Sequence, residues 1–344
     1  MVSVISDLSD YVLSSDLSEL TFTTNAGSAE VIFSIGENEI LHETYVPDST
    51  GIIRIRDLSE LLDSYLYVSL IETFHYSIND RLSAKVEKDF TVQYCAAEID
   101  MDAGSFLDSY FLTLLVGDKV TSITRQEYLH LVCRTATSVS ASILYSVNGR
   151  TETKIKELAR IYDLNKVVSV EVSPALMQDE GKELLSYTIV AGGRLQKFLI
   201  DKLNPPFNPV LLFTNSFGCQ ETFYCLGTFQ LEPEFERNIA YIDGKYRAYK
   251  IAENRKYKAN TGILTTGMAN WVEDLFRSKE VYLLHGNIPG KEVTITESKI
   301  VRSNAPDELP SINFEYRYAQ RNHNIFSLTR AGRIFDSTFD RTFN

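Results

Sequence analysis

Five histidines, His42, His75, His130, His285 and His323, are the side chains best suited to proton transfer in this 344-residue sequence, since imidazole changes charge near neutral pH without help. They are scattered. Apolar periodicity puts His42, His75 and His130 in strands and His285 and His323 in loops, and no His-x-x-x-His, Gly-x-Ser-x-Gly or phosphate-loop spacing lies near them. Each reads as structural or solvated. Glu232, Glu234 and Glu236 could supply a glycosidase pair, but nothing in their spacing sets a separation across a scissile bond, so a solvated acidic turn is expected. Asp100, Asp102 and Gly104, with Asp108 beyond, begin like a calcium loop but lack its third spaced ligand and closing glutamate. An ordinary Asp/Gly turn is expected there. The cysteines Cys95, Cys133, Cys219 and Cys225 show no Cys-x-x-Cys or histidine spacing for zinc. Cys219 and Cys225 would stand roughly 20 Å apart on one extended strand, too far to bridge. They read as buried free thiols, and neither an enzyme nor a bound cofactor or metal is expected.

Basic residues gather from Lys245 to Lys258, interleaved with Tyr246, Tyr249 and Tyr257, a loose likeness to a single-strand nucleic-acid surface. The whole chain argues the other way. Its net charge is −12 and its pI near 5.0, whereas phosphate binding needs a strongly basic surface. With 44% hydrophobic and 23% charged residues the chain should fold. The N-terminal stretch from Met1 to Leu8 has neither the basic start nor the apolar core of a secretory signal, and no run approaches a membrane span. Synthesis and initial residence in a cytoplasm are expected, with no nucleic-acid or membrane partner.

The elements that must hold these residues are mostly strands, because alternation with a period of two dominates. A mainly β, multi-domain protein of β-sandwich modules with few short helices is expected. Residues 1–84 read as a small sandwich: a hairpin across 36–39, a strand at Ile52 to Ile55, a short helix capped by Asp57, and a strand from Tyr65 to Tyr76. Residues 85–203 read as a second sandwich, with strands at 110–116, 127–133, 141–147, 167–172, 185–190 and 195–200; 154–164 fits helix or strand equally. The run Asn204-Pro205-Pro206-Phe207-Asn208-Pro209 is the clearest linker. A third β-rich domain, 204–325, contains a hairpin about Asn215 to Gly218, one or two strands in 238–251, and closing strands at 292–301 and 312–318. Its one convincing helix carries Met268, Trp271, Val272, Leu275 and Phe276 at helical spacing, with Trp271 a core anchor.

The last segment, 326–344, places Phe335, Phe339 and Phe343 four residues apart. On a helix they form one narrow stripe. Three large rings in water are unfavourable, so this segment is expected to dock, either into a groove on a partner or back onto its own domain.

Phe111 to Leu115, Lys119, Thr121-Ser122 and Arg125 to Leu129, with Asn215 to Phe223 and the ending from Phe335 to Asn344, resemble a family of tail-associated proteins encoded by phages and prophages of gut Bacteroidales. The similarity covers about the last two thirds of the chain, and its motifs bring no catalytic residues. The resemblance implies a virion structural component: a tail or baseplate subunit that associates with other tail subunits, or with itself as a homo-oligomer, and passes from cytoplasm to virion. A host-surface glycan- or protein-binding module is the alternative; an enzyme would need a deep cleft with converging carboxylates.

Overall fold

The computed structural model describes residues 1–202, 208–286, 288–298 and 310–319. The fold is mainly β, as the periodicity implies. In the N-terminal part, β1 (Ser3–Ser6), β2 (Tyr11–Leu13), β3 (Leu20–Thr23), β4 (Ala29–Ile35), β5 (Asn38–Tyr45) and β6 (Ile52–Ile55) precede α1 (Leu58–Ser69), β7 (Ile71–Asn79) and β8 (Val86–Gln93). They form two sheets, β1-β3-β6 and β2-β8-β7-β4-β5. Phe22, Phe33, Phe74, Tyr76 and Phe90 fill the space between them, together with Leu58, Leu62 and Leu66 of α1. Those leucines, four apart, carry the helix to Ser69, so the strand expected from Tyr65 starts only at Ile71. Asp57 precedes the helix with φ 56° and makes no side-chain cap. The turn at Asn79 to Ala84, read as a domain boundary, lies within a hairpin, since β7 and β8 pair from Ile71↔Gln93 to Ile78↔Val86. The buried Asp80 carboxylate holds that turn by accepting from the Leu82 and Ser83 amides and the Thr24 hydroxyl, at 3.0, 2.8 and 2.9 Å.

The middle part comprises α2 (Ala103–Ser109), β9 (Lys119–Thr121), β10 (Tyr128–Val132), β11 (Thr137–Val147), β12 (Arg150–Ile161), β13 (Val167–Glu171), β14 (Glu183–Ala191) and β15 (Arg194–Ile200). The five-stranded sheet β12-β11-β14-β15-β9 faces the pair β10-β13 across a core that includes Leu131, Ile143, Tyr187 and Phe198. The ambiguous 154–164 stretch belongs mostly to β12, and Asn148-Gly149, with φ 49° and 76°, makes the tight hairpin turn before it. Residues 110–116, expected as a strand, are irregular. There the Thr113 hydroxyl accepts from the Leu115 amide at 3.1 Å, a local bond that competes with a ladder.

The third part contains β16 (Val210–Thr214), β17 (Gln220–Tyr224), β18 (Phe229–Ile242), β19 (Lys245–Asn260), α3 (Thr266–Arg277), β20 (Val281–His285), β21 (Ile288–Ser298) and β22 (Asn313–Tyr318). All seven strands form one sheet, β17-β16-β20-β21-β22-β19-β18. The expected helix is α3, started by Thr265, whose hydroxyl accepts from the Met268 amide at 3.2 Å. It lays Trp271 between Phe213 and Phe223, with ring centroids 5.7 Å away in each case. His285 closes β20 rather than lying in a loop. All four cysteines are buried and unpaired. The linker at 204–209 falls largely outside the described residues, and Phe335, Phe339 and Phe343 wholly so.

At the first turn of α3, a Cβ on Gly267 would sit 1.8 Å from the Val116 carbonyl oxygen, so helix and loop touch backbone to backbone. Gly267→Ala is expected to destabilise the protein by about 1–3 kcal/mol, the range for overpacking a closed contact. A denaturant midpoint unchanged from wild type would show that the contact is not closed.

Candidate docking surface

Two regions gather polar or aromatic side chains in number, and the first is buried where the middle and third parts meet. Lys119, on β9, directs its ammonium to Glu127 Oε2 at 2.7 Å and the Thr222 carbonyl at 3.1 Å, 4.7 Å from the centroid of the Trp271 ring. Trp271 donates Nε1–H to Glu221 Oε2 at 2.5 Å. Burial is the leading influence on Glu221 and pushes its carboxyl up to about 7, against the opposing pull of Lys119, Thr113 and Trp271. The Asn215–Gly218 turn reaches into the same junction. Asn215 Nδ2 donates to the Leu112 carbonyl at 2.8 Å, Ser216 donates both its amide and hydroxyl to Asp274 of α3 at 3.0 and 2.5 Å, and the Ser216 carbonyl accepts from the Ala96 amide at 2.7 Å. Phe217, fully buried, lies parallel to Phe106 of α2 at 5.2 Å. Gly218, at φ 77°, leaves room for Leu70, which a Cβ would meet at 2.3 Å.

One turn therefore ties all three parts together. His130, also buried here, donates Nε2–H to the Gln220 carbonyl and accepts from the Ser169 hydroxyl at Nδ1, each at 2.8 Å. Burial lowers its basicity, which suits a neutral, position-holding ring. His42 and His75 lie instead on the surface against carboxylates, Glu30 and Glu39 for one and Asp89 for the other. Asp102 caps α2 by accepting from the Ser105 amide, and among the described residues no group of three or more His, Cys, Asp or Glu could hold a metal.

The second region is the hairpin β18–β19. Its strands turn at Asp243-Gly244, whose φ values of 49° and 73° fit the two-residue turn that matches strand twist. Only the end of β19, Tyr257–Asn260, also pairs with β22. From Lys245 to Lys256 its sole strand neighbour among the described residues is β18, so a two-stranded ribbon about 40 Å long, at roughly 3.3 Å per residue, overhangs the sheet. Opposed residues share a face, and the register Phe229↔Ala259, Leu231↔Tyr257, Phe235↔Glu253, Arg237↔Ile251, Ile239↔Ala248 and Tyr241↔Tyr246 makes one face largely apolar. Arg237 and the Glu253–Arg255 ion pair interrupt it. The other face carries Glu232, Glu234, Lys250, Lys256 and Lys258, with Lys258–Glu232 at 2.9 Å and Lys256–Glu234 at 3.5 Å.

The apolar face continues the core-facing side of the sheet, where Phe229 stacks on Tyr257 at 6.2 Å and Tyr257 on Tyr316 at 5.1 Å. Beyond that root nothing described covers it. Ile239 is 60% exposed, Tyr246 80% and Phe235 45%, and Tyr241 meets Tyr246 edge-on at 5.1 Å near the tip. Pairing along β18–β19 thus places Lys245, Arg247, Lys250, Lys256 and Lys258 on the face opposite Tyr246 and Tyr257, and leaves Arg255 on theirs. Glu232, Glu234 and Glu236, expected in an acidic turn, lie on β18, where Glu232 and Glu234 pair with lysines. The missed signal is Asp243-Gly244 flanked by alternating apolar residues, which marks a hairpin.

No family model matches the sequence, and no curated protein does. Among solved structures, one similar chain comes from work on host cell surface retention of a 1.5-MDa bacterial ice-binding adhesin. It is 11% identical and covers 73% of this chain and 88% of its own, with a TM-score of 0.15, too low to support a shared fold. Among the described residues no helix is long and apolar enough to cross a membrane.

Lys119→Met is expected to cost about 3–5 kcal/mol by leaving Glu127 buried without its cation, and pairing it with Glu127→Leu should recover most of that loss. Urea unfolding of both variants measures this; equal losses in the two would mean the pair is not coupled. Glu221 holds its proton more tightly folded than unfolded, so it takes stability away as pH rises from about 4.5 to about 7 and takes no more above that. Glu221→Gln, which keeps an acceptor for Trp271, should lose less stability than wild type between pH 5 and pH 8. Parallel pH profiles would show that Glu221 does not titrate in that interval.

Proposed function

We propose that the chain is a non-enzymatic structural subunit that joins a larger protein assembly through the overhanging hairpin. The observation that carries this reading is the uncovered apolar face of β18–β19, continuous with the core yet borne on a ribbon. An isolated two-stranded ribbon is marginally stable in water, and contiguous exposed apolar surface marks a contact site. Docking by the face is favoured over docking by the edge. β18 is an edge strand, but it contains Pro233, which has no amide to offer a ladder. In this reading Phe335, Phe339 and Phe343 are the second docking element, and the partners are further copies and other subunits. The resemblance to phage- and prophage-encoded proteins makes a tail or baseplate the assembly proposed, with passage from cytoplasm to virion.

The proposal predicts that the solution mass rises above 39.0 kDa with increasing concentration in static light scattering. Ile239→Glu with Tyr246→Glu should hold it at the monomer value, because both side chains are exposed and their loss leaves the fold intact. Association of the double variant at the wild-type concentration, or none by either protein up to millimolar levels, would contradict self-assembly through this face. Binding of a host glycan by the monomer, abolished by the same substitutions, would favour the alternative of a surface-binding module.

A further inference from the structure

Resting on that reading of the hairpin, we infer that in the free subunit its apolar face is occupied by the C-terminal segment of the same chain, residues 326–344, with Phe335, Phe339 and Phe343 as the anchors. Three observations converge on this occupant. The first is direction. β22 runs antiparallel to β19, from Asn313 opposite Asn260 to Tyr316 opposite Tyr257, so the chain leaves the sheet beside the hairpin root heading toward its tip. Tyr318 ends the strand 5.0 Å from the Tyr257 ring, the last well-covered aromatic before the exposed face begins.

The second is reach. The residues between Ala319 and Phe335 span roughly 50 Å when extended, more than the overhang itself, so every part of the face is accessible without leaving the chain. The third is chemistry. Residues four apart share one side of a helix and equally one side of a strand, so the three rings can be presented together in either conformation. The face offers Phe235, Ile239, Tyr241, Tyr246 and Ile251, apolar or aromatic and all substantially exposed.

Tethering decides between this chain and a neighbour. A segment held this close meets its site at an effective concentration in the millimolar range, above that of any second copy in dilute solution. The tail then covers the surface that drives association, and a neighbouring subunit must displace it, which keeps the free protein from associating prematurely.

The test uses full-length protein and a labelled synthetic peptide of residues 326–344, followed by fluorescence anisotropy below the concentration of self-association. Full-length protein carrying Phe335→Ser, Phe339→Ser and Phe343→Ser has a vacant face and should bind the peptide. Wild type, its face filled by its own tail, should bind at least about tenfold more weakly. Adding Phe235→Glu and Ile239→Glu to the triple variant should abolish binding, with circular dichroism unchanged. Equal binding to wild type and the triple variant would overturn occupancy by the chain's own tail. Absence of binding to both, or binding indifferent to the hairpin substitutions, would overturn recognition between tail and face. Self-association is read separately by light scattering, so the hairpin can stand as an assembly surface while this inference fails, and the reverse.

Discussion

The ammonium of Lys119, enclosed by Glu127, the Thr222 carbonyl and the face of Trp271, is the interaction on which the rest depends. A buried cation is costly unless each neighbour supplies compensating charge or dipole, and these come from β17, α3 and the segment before β10. The pair therefore fixes the relative position of the middle and third parts more narrowly than apolar packing alone would. The Asn215–Gly218 turn adds the N-terminal part through the close approach of Gly218 to Leu70. The segments from Phe111 to Leu129 and from Asn215 to Phe223 converge on this junction.

A rigid junction at one end of the seven-stranded sheet makes the hairpin at its other end mechanically useful. Trp271, Phe213 and Phe223 anchor α3 on the β17 and β16 side, while β18 forms the opposite edge. The ribbon's root is built into the core through Phe229 and Tyr257, yet among the described residues its outer part is held by cross-strand pairs alone. The irregularity between Asn238 and Ile239, where Tyr249 is the extra residue of β19, increases local twist and turns the tip relative to the root.

Legibility followed the range of the forces involved. The Asn215–Gly218 hairpin and α3 were readable because their signals lie within a few residues. The β character was readable from alternation. The run from Tyr65 to Tyr76 misled because Tyr65, Tyr67 and Val68 suit a strand, whereas Leu58, Leu62 and Leu66 decide for helix by packing against residues far away in sequence. The 110–116 segment has strand-like composition, but its polar groups are satisfied locally and across the junction. The docking face escaped notice because Tyr246 and the neighbouring lysines look like one cluster until the β18 register divides them between two faces. Lys119 and Glu127 were visible only as ordinary charged residues, since burial of an ion pair belongs to tertiary structure.

The most direct measurement is photo-crosslinking from a benzophenone side chain placed at Tyr246 on the apolar face, compared with one at Arg247 on the charged face, with linked peptides identified by mass spectrometry. Crosslinks to protein from position 246, well above those from position 247, are the result predicted for a ribbon that works through one face. Equal yields from both positions, or solvent adducts alone from each, would contradict it.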